Sequence, residues 1–206
     1  MSHTPITINP YYPKDPDFVQ QLQGEGGATV ERVYPANYKE SPLAANPIGI
    51  SAAVIDTGVE QALTEGLGTL DVPRNITATA SGTAIDIGAI VVVIEGTDAA
   101  GEDIVEALPA FTVDTVGTVV GLKAFKTVTK ITLPAHDGLG AATSFGWGDT
   151  LGLVHKLPYN SFLMAAFNGI REATDPTVVI SPNLENNTIT FNSTLDGSEV
   201  QFAYLI

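Results

Sequence analysis

The chain contains no cysteine. That excludes disulfides, thiolate nucleophiles, and zinc or iron–sulfur centres held by cysteine. Positive charge is scarce: 9 Lys and Arg stand against 23 Asp and Glu, a formal net charge of −14. Phosphate backbones and anionic lipid repel such a surface, so neither nucleic acid nor a membrane is expected as a partner. Long apolar runs are missing too. The longest, Ile87–Ile94, ends after eight residues, against the about 20 that a membrane-crossing helix needs. The opening residues Met1-Ser2-His3-Thr4-Pro5 offer neither a basic nor an apolar stretch, so no leader is expected. Hydrophobic residues nevertheless reach 44% and charged ones only 16%, which supplies a core and excludes disorder along the full length. The composition fits an acidic protein of a reducing compartment, or of a particle assembled there.

Proline divides the 206 residues. Seven of the 13 prolines lie in the first 47 positions, with four of the six tyrosines. Each proline fixes φ, removes an amide donor and pushes its predecessor toward extended backbone. A stretch such as Asn9-Pro10-Tyr11-Tyr12-Pro13-Lys14-Asp15-Pro16 suits neither a helix interior nor a central strand. Only Asp17–Gln23 has the pattern of a helical turn, with Asp17 as its N-cap. Residues 1–46 therefore read as an extended arm, and residues 47–206 as the body. The arm carries a net charge of only −2 and holds Tyr11, Tyr12, Phe18, Tyr34 and Tyr38, aromatic surface suited to lying on its own body or on a neighbouring subunit.

From Pro47 onward the composition is that of an all-β protein. Thr, Val and Ile supply 58 of the chain's 206 residues, the β-branched set that fits a pleated, half-buried surface. Ile87–Glu95 and Glu102–Leu108 flank a short polar loop and read as a hairpin. Ser161–Phe167 and Ile170–Ala173 flank Asn168-Gly169, a strong two-residue turn signal. Thr188–Asn192 and Ser198–Ile206 alternate around Asp196-Gly197, which predicts burial of Ile189, Phe191, Val200, Phe202 and Tyr204. Strands also fit Arg74–Ala80, Leu122–Leu133 and Thr177–Ile180, while Val59–Leu63 and Phe162–Ala166 fit short helices as well. Many short strands with frequent turns predict an antiparallel β-sandwich or a jelly-roll-like barrel with an extended N-terminal arm.

Signals for chemistry are few. Ala53-Val54-Ile55-Asp56-Thr57-Gly58 resembles the aspartic-protease signature, where two such loops share a proton between carboxylates. Val119-Val120-Gly121 stands where that family has a second apolar–Gly stretch, but Leu122-Lys123-Ala124-Phe125 follows instead of the family's Arg or Asn and helix. A turn, with Asp bonding the backbone and Gly at positive φ, is the simpler reading. His136, Asp137 and Asp149 lie in a glycine-rich stretch whose spacing forces no metal site. Asp98, Glu102 and Asp103 read as a solvated acidic loop, and His155 as a structural residue on a strand. Lys123, Lys126 and Lys130 do not share a strand face, so salt contacts explain them better than a nucleic-acid stripe. P-loop, nucleophile-elbow, zinc-helix and dinucleotide motifs are all missing. No enzyme and no cofactor is expected.

One resemblance covers residues 45 to 206. Val72-Pro73-Arg74-Asn75-Ile76-Thr77, then Ile94–Gly101, then Lys123-Ala124-Phe125-Lys126-Thr127-Val128-Thr129 is an order that resembles tailed-bacteriophage virion structural proteins. Gly148-Asp149-Thr150-Leu151-Gly152-Leu153 and Asn192–Gly197 extend it. Within that class the chain looks most like head decoration, or cement, proteins. The resemblance implies binding to the major capsid protein on the outer capsid surface, capsomer bridging, assembly in the host cytoplasm and a homotrimer. A tail or baseplate binding module has similar strand patterns. A carbohydrate-binding sandwich is less favoured, because Trp147, the one tryptophan, is expected in a glycine-rich loop.

Overall fold

A computed structural model of the chain describes residues 35–157 and 159–206. These form an almost purely β body, in which helix is confined to two 3-10 turns, Ala84–Asp86 and Leu184–Asn186. The strands in the first half are β1 (Pro35–Glu40), β2 (Asn46–Ile55), β3 (Gln61–Leu63), β4 (Arg74–Gly82), β5 (Val93–Thr97) and β6 (Asp103–Ala107). Then come β7 (Gly117–Phe125), β8 (Thr127–Leu133), β9 (Ala141–Gly152), β10 (Phe162–Phe167) and β11 (Ile170–Arg171). Three more close the chain: β12 (Thr177–Val179), β13 (Thr188–Thr190) and β14 (Val200–Leu205). All pair antiparallel, in a sandwich-type arrangement of three sheets: β1-β14-β10-β11, β12-β13-β9-β4-β7 with β2 added on β9, and β3-β8-β5-β6.

The 12-residue β9 organises the body. One of its edges takes β4. The other takes β2 along Ala142–Trp147 and β13 along Thr150–Gly152. Its first half sends Ala141, Phe145 and Trp147 into a core with Ile76, Ile94, Phe125 and Ile131. Its second half sends Leu151 into another core, built with Ile189, Phe202 and Tyr204. All five residues expected to be buried at the C-terminus are buried. Gly146 is required on β9 because a Cβ there would stand 1.8 Å from the Asn46 carbonyl oxygen.

Both hairpins form. β5 and β6 pair around Asp98, and β10 and β11 around Asn168-Gly169, whose φ values of 49° and 73° match a type I′ turn. Several boundaries differ from expectation. Residues 35–46 belong to the body, because β1 pairs residue for residue with β14 and closes the second core. Pro35 is tolerated as the first residue of an edge strand, where its missing amide costs little. Thr188–Asn192 and Ser198–Ile206 do not pair with each other. β13 joins β9 and β14 joins β10, so the two strands bring their apolar residues to the same core from different sheets. The Leu122–Leu133 run divides at Lys126, whose amide donates to the Thr97 carbonyl. Both ambiguous segments hold strands, β3 and β10. Trp147 is on the central strand rather than in a loop, and His155 lies in a bend rather than on a strand.

Candidate functional site

Of the aromatic residues expected to anchor the arm, Tyr11, Tyr12, Phe18 and Tyr34 lie outside the described residues. Tyr38 is placed, and it is no free anchor. It faces Phe202 across β1 and β14 and is only 5% exposed. Burial, reinforced by Glu40 and Asp71, pushes its hydroxyl well above the usual tyrosine range. That hydroxyl is buried without a hydrogen-bond partner among the described residues. Tyr38→Phe removes an orphaned donor and keeps the ring, so stability is expected to hold or rise by up to about 1 kcal/mol. A urea titration checks this, and a loss of more than that would reveal a partner for the hydroxyl.

Beneath the surface lies a buried polar seam where the two cores meet. Between Arg74 and Ile76 β4 advances two residues while β9 advances four, from Leu151 to Trp147. Between Asn75 and Thr77 β7 likewise advances four, from Ala124 to Val120. Strand β4 thus runs between two bulges, each of which leaves ladder groups unpaired. Arg74, fully buried, donates to the Gly148 carbonyl through Nε (2.9 Å) and Nη2 (2.6 Å), and to the Leu43 carbonyl and Asp71 through Nη1. Its guanidinium carbon stands 5.7 Å from the centre of the Trp147 ring. Asn75 serves the opposite bulge: Nδ2 donates to the Gly121 carbonyl and Oδ1 accepts from the Thr150 amide, both at 3.1 Å. Glu106 reaches over from β6 and accepts the amides of Leu122 (2.6 Å) and Lys123 (3.3 Å). Three buried polar side chains therefore take up the groups that the bulges release.

Their ionisation follows from these contacts. Burial pushes Asp71 up, but the Leu43 amide and the Arg74 guanidinium outweigh it and hold the carboxyl below the usual range. At Glu106 burial prevails over the two amides and Lys123, and its carboxyl is raised. A raised carboxyl stabilises the fold below its unfolded pKa and loses that contribution as pH rises through the folded one. Wild type should thus lose stability relative to Glu106→Gln between about pH 4 and pH 7. Urea midpoints of both proteins across that range check it, and a widening advantage of wild type would contradict it.

Over the seam lies a groove of about 500 Å³, lined by Val120 and Leu122 of β7, Val179 and Ile180 at β12, and Thr150 and Thr190 on its floor. Leu122 is 77% exposed, and Val120, Val179 and Ile180 also face solvent. Lys123 of β7 meets Glu185 of the second 3-10 turn at 3.3 Å and ties the two sides together. Exposed apolar side chains grouped in this way offer a contact surface.

The remaining candidates resolve locally. Asp56 is buried, and its two carboxylate oxygens accept the amides of Gly58 and His136, each at 2.6 Å. Gly58 has φ +76°, so Asp56-Thr57-Gly58 is a turn. His136 accepts the Gly88 amide at Nδ1 and donates from Nε2 to Thr143, and burial lowers its pKa despite Asp56 and Asp137. That leaves a neutral imidazole inside the fold. Asp149 lies apart, 3.9 Å from Arg74. Asp98 accepts the amides of Ala100 and Glu102 and shapes the β5–β6 turn. His155 contacts the buried Tyr204 hydroxyl at 2.7 Å. Lys123 and Lys130 form salt contacts with Glu185 and Glu95, and do not make a common stripe with Lys126. The bulges that create the seam and the groove were not foreseen; the only sequence signal was glycine inside apolar strand patterns, at Gly121, Gly146 and Gly148. No protein-family model, no curated protein and no solved structure matches the chain.

Proposed function

We propose that the chain is a structural protein of a tailed-bacteriophage virion that binds the outer surface of the capsid and stabilises it by bridging capsomers. The observation that carries this reading is where the phage-like residues sit. Val72–Thr77, Lys123–Thr129 and Gly148–Leu153 lie far apart in sequence, yet Arg74, Asn75, Lys123, Gly148 and Thr150 come together in the seam beneath the groove. Three of the five segments that carry the resemblance thus contribute to this double-bulged surface, while Ile94–Gly101 on β5 and Asn192–Gly197 after β13 lie elsewhere. A shell-binding protein needs contact area rather than reactive groups, and the exposed Val120, Leu122, Val179 and Ile180 supply uncharged area. The charge of −14 suits an outward layer, because it gives packaged DNA nothing to attract. The partner is the major capsid protein, without nucleic acid, membrane, catalysis or cofactor. The trimer implied by the resemblance belongs to the same reading.

Co-sedimentation with heads stripped of the protein tests it. The full chain is expected to pellet with heads, to saturate, and to raise their resistance to heat. A chain lacking residues 1–34 keeps every described strand and isolates the contribution of the body. Removal of residues 1–40 would also take away β1 and Tyr38, and so confound binding with folding. Failure of the full chain to pellet with heads while it binds isolated tails would replace this reading with that of a tail module.

A further inference from the structure

The turn Asn168-Gly169 closes the β10–β11 hairpin and takes no part in the seam or the groove. It is the one Asn-Gly pair in the chain. Such a pair can react with itself: the glycine amide nitrogen attacks the asparagine Cγ, and glycine has no side chain to hinder the approach. Asp-Gly pairs close the same ring, and the chain has two of them, Asp137-Gly138 and Asp196-Gly197. The fold treats the three differently. The Gly138 amide donates to the Asp86 carbonyl at 3.2 Å, and the Gly197 amide to the Pro42 carbonyl at 2.9 Å. Both of those nucleophiles are held. The Gly169 amide has no acceptor among the described residues. Asn168 and Gly169 are both exposed. Nothing beyond its chain neighbours stands within 4 Å of where a Cβ on Gly169 would lie.

We propose that Asn168 is a site of spontaneous deamidation in the folded protein, through a succinimide formed with Gly169. Attack on Cγ needs a rotation about the Asn168 ψ angle that the closed type I′ turn does not allow, so the hairpin must open first. Opening is easy here. Strand β11 pairs with β10 only at Ala166–Arg171 and Phe167–Ile170, with one further bond from the Glu172 amide to the Ala165 carbonyl, and both of its residues are exposed. Short pairings that bury little lie at the low end of local stability. The Asn168 amide stays anchored on the Glu199 carbonyl at 2.7 Å. Solvent hydroxide removes the Gly169 amide proton, the nitrogen bonds to Cγ, and the Cγ–Nδ2 bond breaks. Nδ2 takes a proton from water and leaves as ammonia, which regenerates the hydroxide. Water then opens the ring at one of its two carbonyl–nitrogen bonds. Cleavage at Cγ gives aspartate on an ordinary main chain. Cleavage at the main-chain carbonyl gives isoaspartate, in which the chain runs through Cγ and gains one carbon. Either product adds a negative charge. The isoaspartyl link lengthens a loop whose closure depends on both of its φ angles, so it parts β11 from β10. The site does not rest on the capsid reading.

Peptide mapping of the purified full chain tests it. The protein is kept in mildly alkaline buffer at body temperature, folded in one sample and unfolded in guanidinium chloride in another, and sampled over weeks. Exchange of ammonia for water adds about 1 Da, and electron-transfer fragmentation separates aspartate from isoaspartate. In the folded sample, conversion is expected at Asn168, with isoaspartate among the products, ahead of any isoaspartate at Asp137 or Asp196. In the unfolded sample isoaspartate is expected at all three positions. Ion exchange of the folded sample should show a growing, more acidic species that is absent from Asn168→Gly, since a Gly-Gly pair also fits the turn. A folded sample that stays unmodified at Asn168 while the unfolded one converts overturns the proposal, because the turn then protects the bond. So does isoaspartate at Asp137 or Asp196 of the folded protein that appears as early as at Asn168, because the unheld amide is then not what selects the site.

Discussion

Arg74→Met is expected to destabilise the fold by about 3–5 kcal/mol, as loss of one partner from a buried charged pair does. In a domain of this size that is a fall of about 6–20 °C in melting temperature. The methionine fills much of the space and retains contact with Trp147, but it leaves Asp71 without its cation and the Leu43 and Gly148 carbonyls without their donor. The pH dependence identifies the cause. Asp71 has a lowered pKa in the fold, so its contribution is present above the unfolded carboxylate pKa and is lost as pH falls through the folded value. The Arg74→Met protein should therefore show a shallower loss of stability in acid than wild type. Calorimetry from neutral pH down to about pH 3 covers the relevant window. Parallel curves would mean that the guanidinium acts by packing alone.

Phe202→Ala is expected to cost about 3–5 kcal/mol, the range for a buried aromatic truncated to a methyl group. Phe202 is fully buried at the centre of the second core, with ring centroids of Tyr204 at 4.8 Å and Phe162 at 5.6 Å. Its strand neighbours are Tyr38 on one side and Ala165 on the other. Trp147, in the other core, supplies an independent fluorescence probe. Because β9 contributes to both cores, the tryptophan signal and the far-ultraviolet circular dichroism should shift to lower urea together, as one two-state transition. Separate midpoints would show that β9 does not couple the cores.

The β class and the burial of Ile189, Phe191, Val200, Phe202 and Tyr204 were legible because strand alternation is local. So was the Asn168-Gly169 turn, where the residue pair itself selects positive φ. Pairing was less legible: Thr188–Asn192 and Ser198–Ile206 look like a hairpin until their partners across the sheets, β9 and β10, are known. Proline misled at residues 35–46, because density of proline reads as an arm while a single Pro35 merely starts an edge strand. The groove lay beyond reach of periodicity. It depends on bulges in β7 and β9 at the same level of β4, and on which buried side chain answers each released carbonyl. Arg74 and Asn75 gave no local signal of the seam, because their roles depend on carbonyls and amides far away in sequence.

The proposed location of the protein is the outside of a phage head. Electron microscopy of intact virions labelled with gold-conjugated antibody against the body, residues 35–206, tests it most directly. Gold distributed over the head surface, and lost when the protein is stripped from the shell, is the predicted result. Gold confined to the tail or baseplate, or absent from intact particles and present only after they are broken open, would contradict it.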